Sequence, residues 1–326
     1  MKIVELTKIG NPADVLELKE VPDTPLKAGD VRVKVLAAPI HPSNLLQIAG
    51  KYGTQPDVPS IPGGEGVGAV IEVSPEVTHL QVGQHVLLAG AGGTWRSKVV
   101  ASAAAFIPVP AGDVEQMSMM AVNPLTAQLL LTDFADLKAG DWMIQSAANS
   151  AVGEMIIQLA ALRGIKTVNI VRRDSLIPGL KALGGDVVLV DGPDLVERVK
   201  AATDGAPIVY AVDSVGGETL SRMIATLTFG ATLTSYGVMS SDPSVLNVGA
   251  VIFNDIRVRG FWLAKWYETA SPADKQAAFG ALIPMVIGGQ LKTKIDSTYP
   301  LEEIKAAVTR AGENGRDGKV LLVPAA

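Results

Sequence analysis

Between residues 31 and 37 (VRVKVLA) apolar and polar positions alternate, the period of a strand with one buried face. Residues 66–73 (GVGAVIEV) and 82–88 (VGQHVLL) predict two further strands, and the opening MKIVELTKIG is strand-like as well. Pro and Gly interrupt these runs at short intervals, which predicts a small, barrel-like β domain. Near residue 115 the pattern changes. Residues 115–131 predict a helix, kinked or started at Pro124. Beyond it strands and helices take turns. Strand 141–147 (DWMIQSA) precedes an amphipathic helix at 153–163 (GEMIIQLAALR), strand 166–171 (KTVNIV), helix 176–183 and strand 186–190. Further strands are predicted at 208–213 (IVYAVD), 231–236 (ATLTSY) and 257–262 (RVRGFW). Such alternation specifies an α/β fold with a doubly wound parallel sheet. The chain ends with a helix over 271–287, a strand over 294–299, a helix over 301–311 and a strand over 319–323.

With 326 residues, 48% hydrophobic and 19% charged, the chain can build two cores and shows no signature of disorder. A net charge of −5 argues against a nucleic-acid or anionic-membrane partner. A small anionic ligand needs only a local basic cluster and stays open. The absence of cysteine removes disulfides, a thiolate nucleophile and Cys-ligated zinc. No signal peptide and no run of about 18 apolar residues is visible, so a cytoplasmic protein is expected.

Strand 141–147 runs into Ala148-Asn149-Ser150-Ala151-Val152-Gly153, and a helix opens at Gly153. Dinucleotide folds place their pyrophosphate on such a turn, where helix N–H groups attract the anion. Of the usual G-x-G-x-x-G only the last glycine remains, but Ala148 and Ser150 are small enough for a close approach. An ordinary βα turn is the alternative. The next strand ends in Arg172-Arg173-Asp174. Roughly 20 residues after the turn, an NAD site carries an acid for the ribose, whereas guanidinium groups suit a 2′-phosphate. Arg172 and Arg173 therefore point to NADPH, with Asp174 on a ribose hydroxyl as the competing assignment.

Several segments together resemble the 2-enoyl thioester reductases of mitochondrial type, zinc-free members of the medium-chain dehydrogenase/reductase superfamily. They are HPSNLLQIAGKYG from residue 41, PGGEGVGAV from 62, the run from VNPLTAQ at 122 to LAALRG at 164, LTSYGVMS from 233 and RGFWLAKW from 259. The resemblance implies a GroES-like catalytic domain formed by 1–120 and 268–326, a Rossmann domain at 121–267, and a homodimer. It also implies catalytic roles for Tyr52, Trp262 and Asn44. Tyr52, between Gly50-Lys51 and Gly53, matches the family's donor, and a phenol can give a proton to an enolate oxygen or to carbon. Trp262 matches a tryptophan that packs on the acyl chain. Asn123, Thr126, Tyr236, Gly237 and Met239 are implied as cofactor contacts. Phe261 and Trp262 are counted with them, although core packing competes for Phe261.

Zinc alcohol dehydrogenases of this superfamily carry Cys and Gly-His-Glu where this chain has His41 and Gly64-Glu65. His41, His79 and His85 are scattered, without a recognisable carboxylate partner, so no metal is expected. The family has Asn and Asp where this chain has His41 and Asn44, which puts pocket polarity in question. Glu65 is either functional or the brace of its glycine turn. Lys51 and Arg316 are candidates for a CoA or carrier-protein phosphate. The implied reaction is hydride addition to the β-carbon of a 2-enoyl thioester, with protonation at the α-carbon. A quinone oxidoreductase, a reductase of another α,β-unsaturated carbonyl and a non-enzymatic NADPH-binding protein are the alternatives.

Overall fold

The computed structural model describes residues 1–325. Two units emerge, Met1–Val122 with Ala281–Ala326, and Asn123–Gly280. The first begins with β1 (Lys2–Leu6), α1 (Pro12–Val15), β2 (Leu16–Glu20), β3 (Asp30–Pro39), α2 (Pro42–Ile48), β4 (Val67–Val73), β5 (His85–Leu87), β6 (Lys98–Ser102), β7 (Ile107–Val109) and α3 (Val114–Met117). The second holds α4 (Asn123–Thr132), β8 (Trp142–Gln145), α5 (Ala151–Leu162), β9 (Lys166–Val171), α6 (Ile177–Ala182), β10 (Val187–Val190), α7 (Leu195–Ala202), β11 (Ile208–Asp213), α8 (Gly217–Ala225), β12 (Leu227–Ser235), α9 (Val248–Phe253), β13 (Arg257–Gly260) and α10 (Leu263–Thr269). After α11 (Pro272–Ile287), β14 (Ile295–Tyr299), α12 (Ile304–Gly312) and β15 (Lys319–Leu322) complete the first unit.

The units divide after Val122 and Gly280, whereas the sequence suggested 120 and 267. The second division falls inside α11, where no Pro- or Gly-rich linker exists to mark it. The helix expected over 115–131 is two helices. Asp113 caps α3 by accepting from the Gln116 N–H at 3.1 Å, and residues 118–122 form turns. Pro124 sits in the first turn of α4, where a missing N–H leaves no bond unmade. The strand expected over 82–88 shortens to β5, because Val82 and Gly83 turn in solvent.

In the first unit the sheet runs β14-β15-β3-β4-β5-β7, with β6 also paired to β3. β14 and β15 are parallel and the other pairings are antiparallel. Val31, Val33 and Val35 of β3 are buried in its core, as their alternation requires. β15 lies on β3 in the register Leu321 opposite Pro39 and Leu322 opposite Ala38. That pairing brings the chain's last strand to the segment that leads into His41.

In the second unit all six strands are parallel, in the order β10-β9-β8-β11-β12-β13. Counted within the unit this is 3-2-1-4-5-6, the doubly wound Rossmann order, whose direction reverses between β8 and β11. Ligands of such sheets bind beyond the carboxyl ends of the strands at that reversal. Among the described residues no helix is long and apolar enough to cross a membrane.

Candidate active site

At the reversal point the ends of β8 and β11 are tied together. Ser146, just past β8, donates its hydroxyl to Asp213 at 2.6 Å and accepts the Ser214 N–H at 2.9 Å. Asp213 is fully buried and also accepts the Val215 and Gly216 N–H groups, at 3.1 and 2.9 Å. The next strand end is laid on top. Tyr236 N–H donates to the Asp213 carbonyl and Met239 N–H to the Ser214 carbonyl. Gly237 passes so close that a Cβ there would lie 3.2 Å from Ser214. Sequence reasoning missed Ser146, Asp213 and Ser214, because no spacing rule links two strand ends 67 residues apart.

The turn from β8 to α5 has the shape of an anion cradle. Ser150 caps α5, its hydroxyl accepting the Gly153 N–H at 3.1 Å. The N–H groups of Ala151 and Val152, in the first turn, have no acceptor within the helix. A Cβ on Gly153 would stand 2.6 Å from the Ala148 carbonyl oxygen, so glycine is required where the helix presses on the turn. The Tyr236 phenol has the Ser214 and Ser150 hydroxyls beside it, and burial holds its pKa above the ordinary range. Arg172 and Arg173 follow β9, both exposed, and among the described residues neither has a carboxylate within ion-pair distance. Asn123 and Thr126 are buried in the first turns of α4, which packs on α5. The Asn123 amide nitrogen has no hydrogen-bond partner. An open helix start, two uncommitted guanidinium groups and an orphaned buried amide fit a phosphorylated dinucleotide. Trp262 starts α10 and is 39% exposed. Phe261 is half-buried, edge-on to Phe134 at 5.5 Å, rather than a core residue, because β13 is the last strand of its sheet.

In the first unit Tyr52 is half-buried on the loop after α2. Asn44 is buried on α2 and accepts the His41 N–H at 2.9 Å. It lines a cavity of about 250 Å³ together with Gln47, Ile48, Ile61, Gly63 and Gly64. His41 proves to have a carboxylate partner after all. Its Nε2 lies 2.6 Å from Glu65 Oε1, and its Nδ1 lies 2.8 Å from Lys319 Nζ. Glu65 Oε2 accepts the Ala121 N–H at 2.7 Å. Burial pushes the Glu65 carboxyl up and the Lys319 ammonium down, and it holds the His41 imidazole well below its ordinary range with Lys319 adding to the effect. Lys319 carries no sequence signal beyond its place in a strand.

Two family models match the chain. Residues 27–111 fit the alcohol dehydrogenase GroES-like domain, and residues 151–278 fit the domain described as zinc-binding dehydrogenase. The human mitochondrial enoyl-[acyl-carrier-protein] reductase is 38% identical over 306 residues, which are 92% of this chain and 82% of that protein. A crystal structure described as an NADPH:quinone reductase of Bacillus thuringiensis aligns with a TM-score of 0.91 at 32% identity, covering 99% of each chain. The complex of Candida tropicalis Etr1p with NADP and crotonyl-CoA aligns with a TM-score of 0.88 at 27% identity, again covering 99% of each. A GroES-like unit joined to a doubly wound dinucleotide fold defines a medium-chain dehydrogenase/reductase. Within that class the chain belongs to the enoyl thioester reductase family, oxidoreductases acting on CH–CH groups.

The zinc in the second model's description does not fit this chain. His41 stands where a ligand would be expected, but an ammonium occupies one side of its ring and a single carboxylate the other. There is no cysteine, and among the described residues no group of three or more His, Cys, Asp and Glu could hold a metal.

Proposed function

We propose that the protein reduces the C2–C3 double bond of a 2-enoyl thioester with NADPH. The observation that carries this is the similarity to the human enoyl reductase, which runs through both units over 92% of the chain. When bound, the reduced nicotinamide supplies the hydride for the β-carbon. The Ala151 and Val152 N–H groups hold the pyrophosphate, and Arg172 and Arg173 hold the 2′-phosphate. Asn123 and Thr126 face the nicotinamide, the unpartnered Asn123 amide nitrogen offering it a hydrogen bond. Tyr236, Gly237, Met239 and Phe261 shape the remaining cofactor contacts. Asn149 sits in the same turn and completes its polar rim.

Tyr52 is the proposed donor. Its hydroxyl hydrogen-bonds the thioester carbonyl oxygen as negative charge builds there, then its O–H breaks as the C–H bond forms at the α-carbon, and the phenolate takes a proton back from solvent. Asn44 spends its carbonyl oxygen on His41 and keeps its amide N–H groups for the substrate in the cavity it lines. Trp262 packs on the acyl chain and excludes water. The second unit also supports a homodimer. β13 is an edge strand, paired with β12 on one side only and exposed at all four residues, and Phe253 on α9 is 81% exposed.

Quinone reduction is the second proposal, favoured by the Bacillus thuringiensis structure at 32% identity. The two separate in one experiment, loss of nicotinamide absorbance with crotonyl-CoA or with 1,4-benzoquinone. Turnover of the thioester, with the saturated acyl product found by mass, supports the enoyl reductase. Turnover of the quinone alone overturns it.

A further inference from the structure

Lys319, His41 and Glu65 lie in line inside the first unit, all three buried, and Glu65 is only 1% exposed. A lone buried charge is costly, whereas a cation and an anion around a neutral imidazole leave no net charge. The contacts then satisfy one another. The Lys319 ammonium donates to Nδ1, Nε2–H donates to Glu65 Oε1, and Oε2 takes the Ala121 N–H. A second arrangement uses the same atoms. One N–H bond of Lys319 breaks as Nδ1–H forms, and Nε2–H breaks as an O–H forms on Glu65. The ring changes tautomer, both ends become neutral, and the total charge is unchanged.

The position of the unit gives this a consequence. His41 precedes α2 and bonds Asn44, while Glu65 ends the Gly63-Gly64 turn. Asn44, Gly63 and Gly64 wall the same cavity. The bond between His41 and Glu65 therefore ties two of its walls together. We propose that Lys319, His41 and Glu65 share a proton through the His41 ring, and that this buried unit positions Asn44 and the glycine turn for the substrate. His41 is a positioning residue, and only the substrate part rests on the enoyl reductase assignment.

Burial draws the Lys319 and Glu65 titrations toward each other, which lets the two arrangements compete. The surrounding groups that act on the unit are few. Arg316, ahead of β15, repels the Lys319 ammonium, and Asp296 and Arg310 lie beyond Arg316. On the other side the Ala121 and Val122 N–H groups face Glu65.

Nitrogen NMR of histidine-labelled protein tests the proton directly, with His41→Asn assigning the signal among three histidines. From about pH 6 to about pH 9 His41 should never become an imidazolium, and near neutrality its ring nitrogens should show shifts averaged between two tautomers. An imidazolium with an ordinary midpoint, or one tautomer unchanged across the range, overturns the proposal. This arm stands whether or not the protein reduces crotonyl-CoA. In the kinetic arm, His41→Asn should raise the KM for crotonyl-CoA roughly fivefold, with kcat changed less than about twofold and the NADPH KM unaltered. An unchanged KM for crotonyl-CoA removes the positioning role. The pair Glu65→Gln with Lys319→Met should melt above either single variant, and melting below both would show that the charges are not coupled.

Discussion

Tyr52 shows how little a single residue announces in sequence. A tyrosine between glycines is by pattern a loop residue, and only the surrounding HPSNLLQIAGKYG gave it a role. Tyr52→Phe should lower kcat with an enoyl thioester by about 10²-fold while the NADPH Kd stays the same, read by steady-state kinetics and fluorescence titration. The arginine pair was more legible, because its value lies in its place one strand after the proposed pyrophosphate turn. Both guanidinium groups are exposed and uncommitted. Arg172→Ala should weaken NADPH by about tenfold and leave NADH nearly unchanged, the size of one charge-assisted bond. Equal weakening of both cofactors would remove the 2′-phosphate assignment. Glu65 stood between two roles in the sequence. Its side chain meets His41 and accepts the Ala121 N–H rather than bonding its own glycine turn, and the apparent lack of a carboxylate partner for His41 was an artefact of reading distance along the chain.

At the scale of elements, period and punctuation carried most of the prediction. β9 and β11 fall at 166–171 and 208–213 as expected, since short runs rich in β-branched residues and bounded by turns favour buried strands. Short elements escaped. α2 spans seven residues and α3 four, too few for a helical period to show, yet α2 carries Asn44. The sequence opened α5 at Gly153, whereas it begins two residues earlier, at Ala151, because Ser150 caps it. Gly153→Ala would press a methyl group against the carbonyl oxygens of Ala148 and Ala147, at 2.6 and 2.8 Å, both backbone atoms. The expected cost is about 2 kcal/mol of stability with a weaker NADPH complex, measured by thermal melts with and without cofactor. A melt unchanged by the methyl group would mean that the turn yields.

For the whole molecule, two properties rest on contacts that only folding assembles. Asp296 on β14 receives two nitrogens of Arg310, at 2.8 and 2.6 Å, and the Asp317 N–H. The Arg310 guanidinium holds its carboxyl down to about 2 from 3.8. A depressed carboxyl stabilises above its unfolded pKa and loses that contribution as pH falls through the folded value. The window is thus about pH 4 to about pH 2, and the contribution is about 1–2 kcal/mol after screening of the exposed guanidinium. Asp296→Asn should lower the Tm at pH 6, with the gap to the native protein closing by pH 2.5 (roughly). The proposed homodimer gives a second prediction at this scale. Phe253→Asp should shift the particle from dimer to monomer in light scattering, with the melting point of the monomer little changed. A dimer that survives would place the interface elsewhere on the chain.

By itself the sequence determined the class of fold and the strand–turn–helix proposed to hold the cofactor, because both depend on local rules. Alternation, helical period, a glycine at a helix start and arginines after a strand act over a few residues, and a chain writes them where they act. Tertiary structure decided which buried charges meet. His41 and Lys319 are 278 residues apart, and Ser146 and Asp213 are 67 apart, so their bonds exist only once β15 pairs with β3 and β11 pairs with β8. Burial then alters the chemistry of the same side chains. A lysine, a histidine and a glutamate that would titrate separately in water become one neutral unit when solvent is removed from around all three.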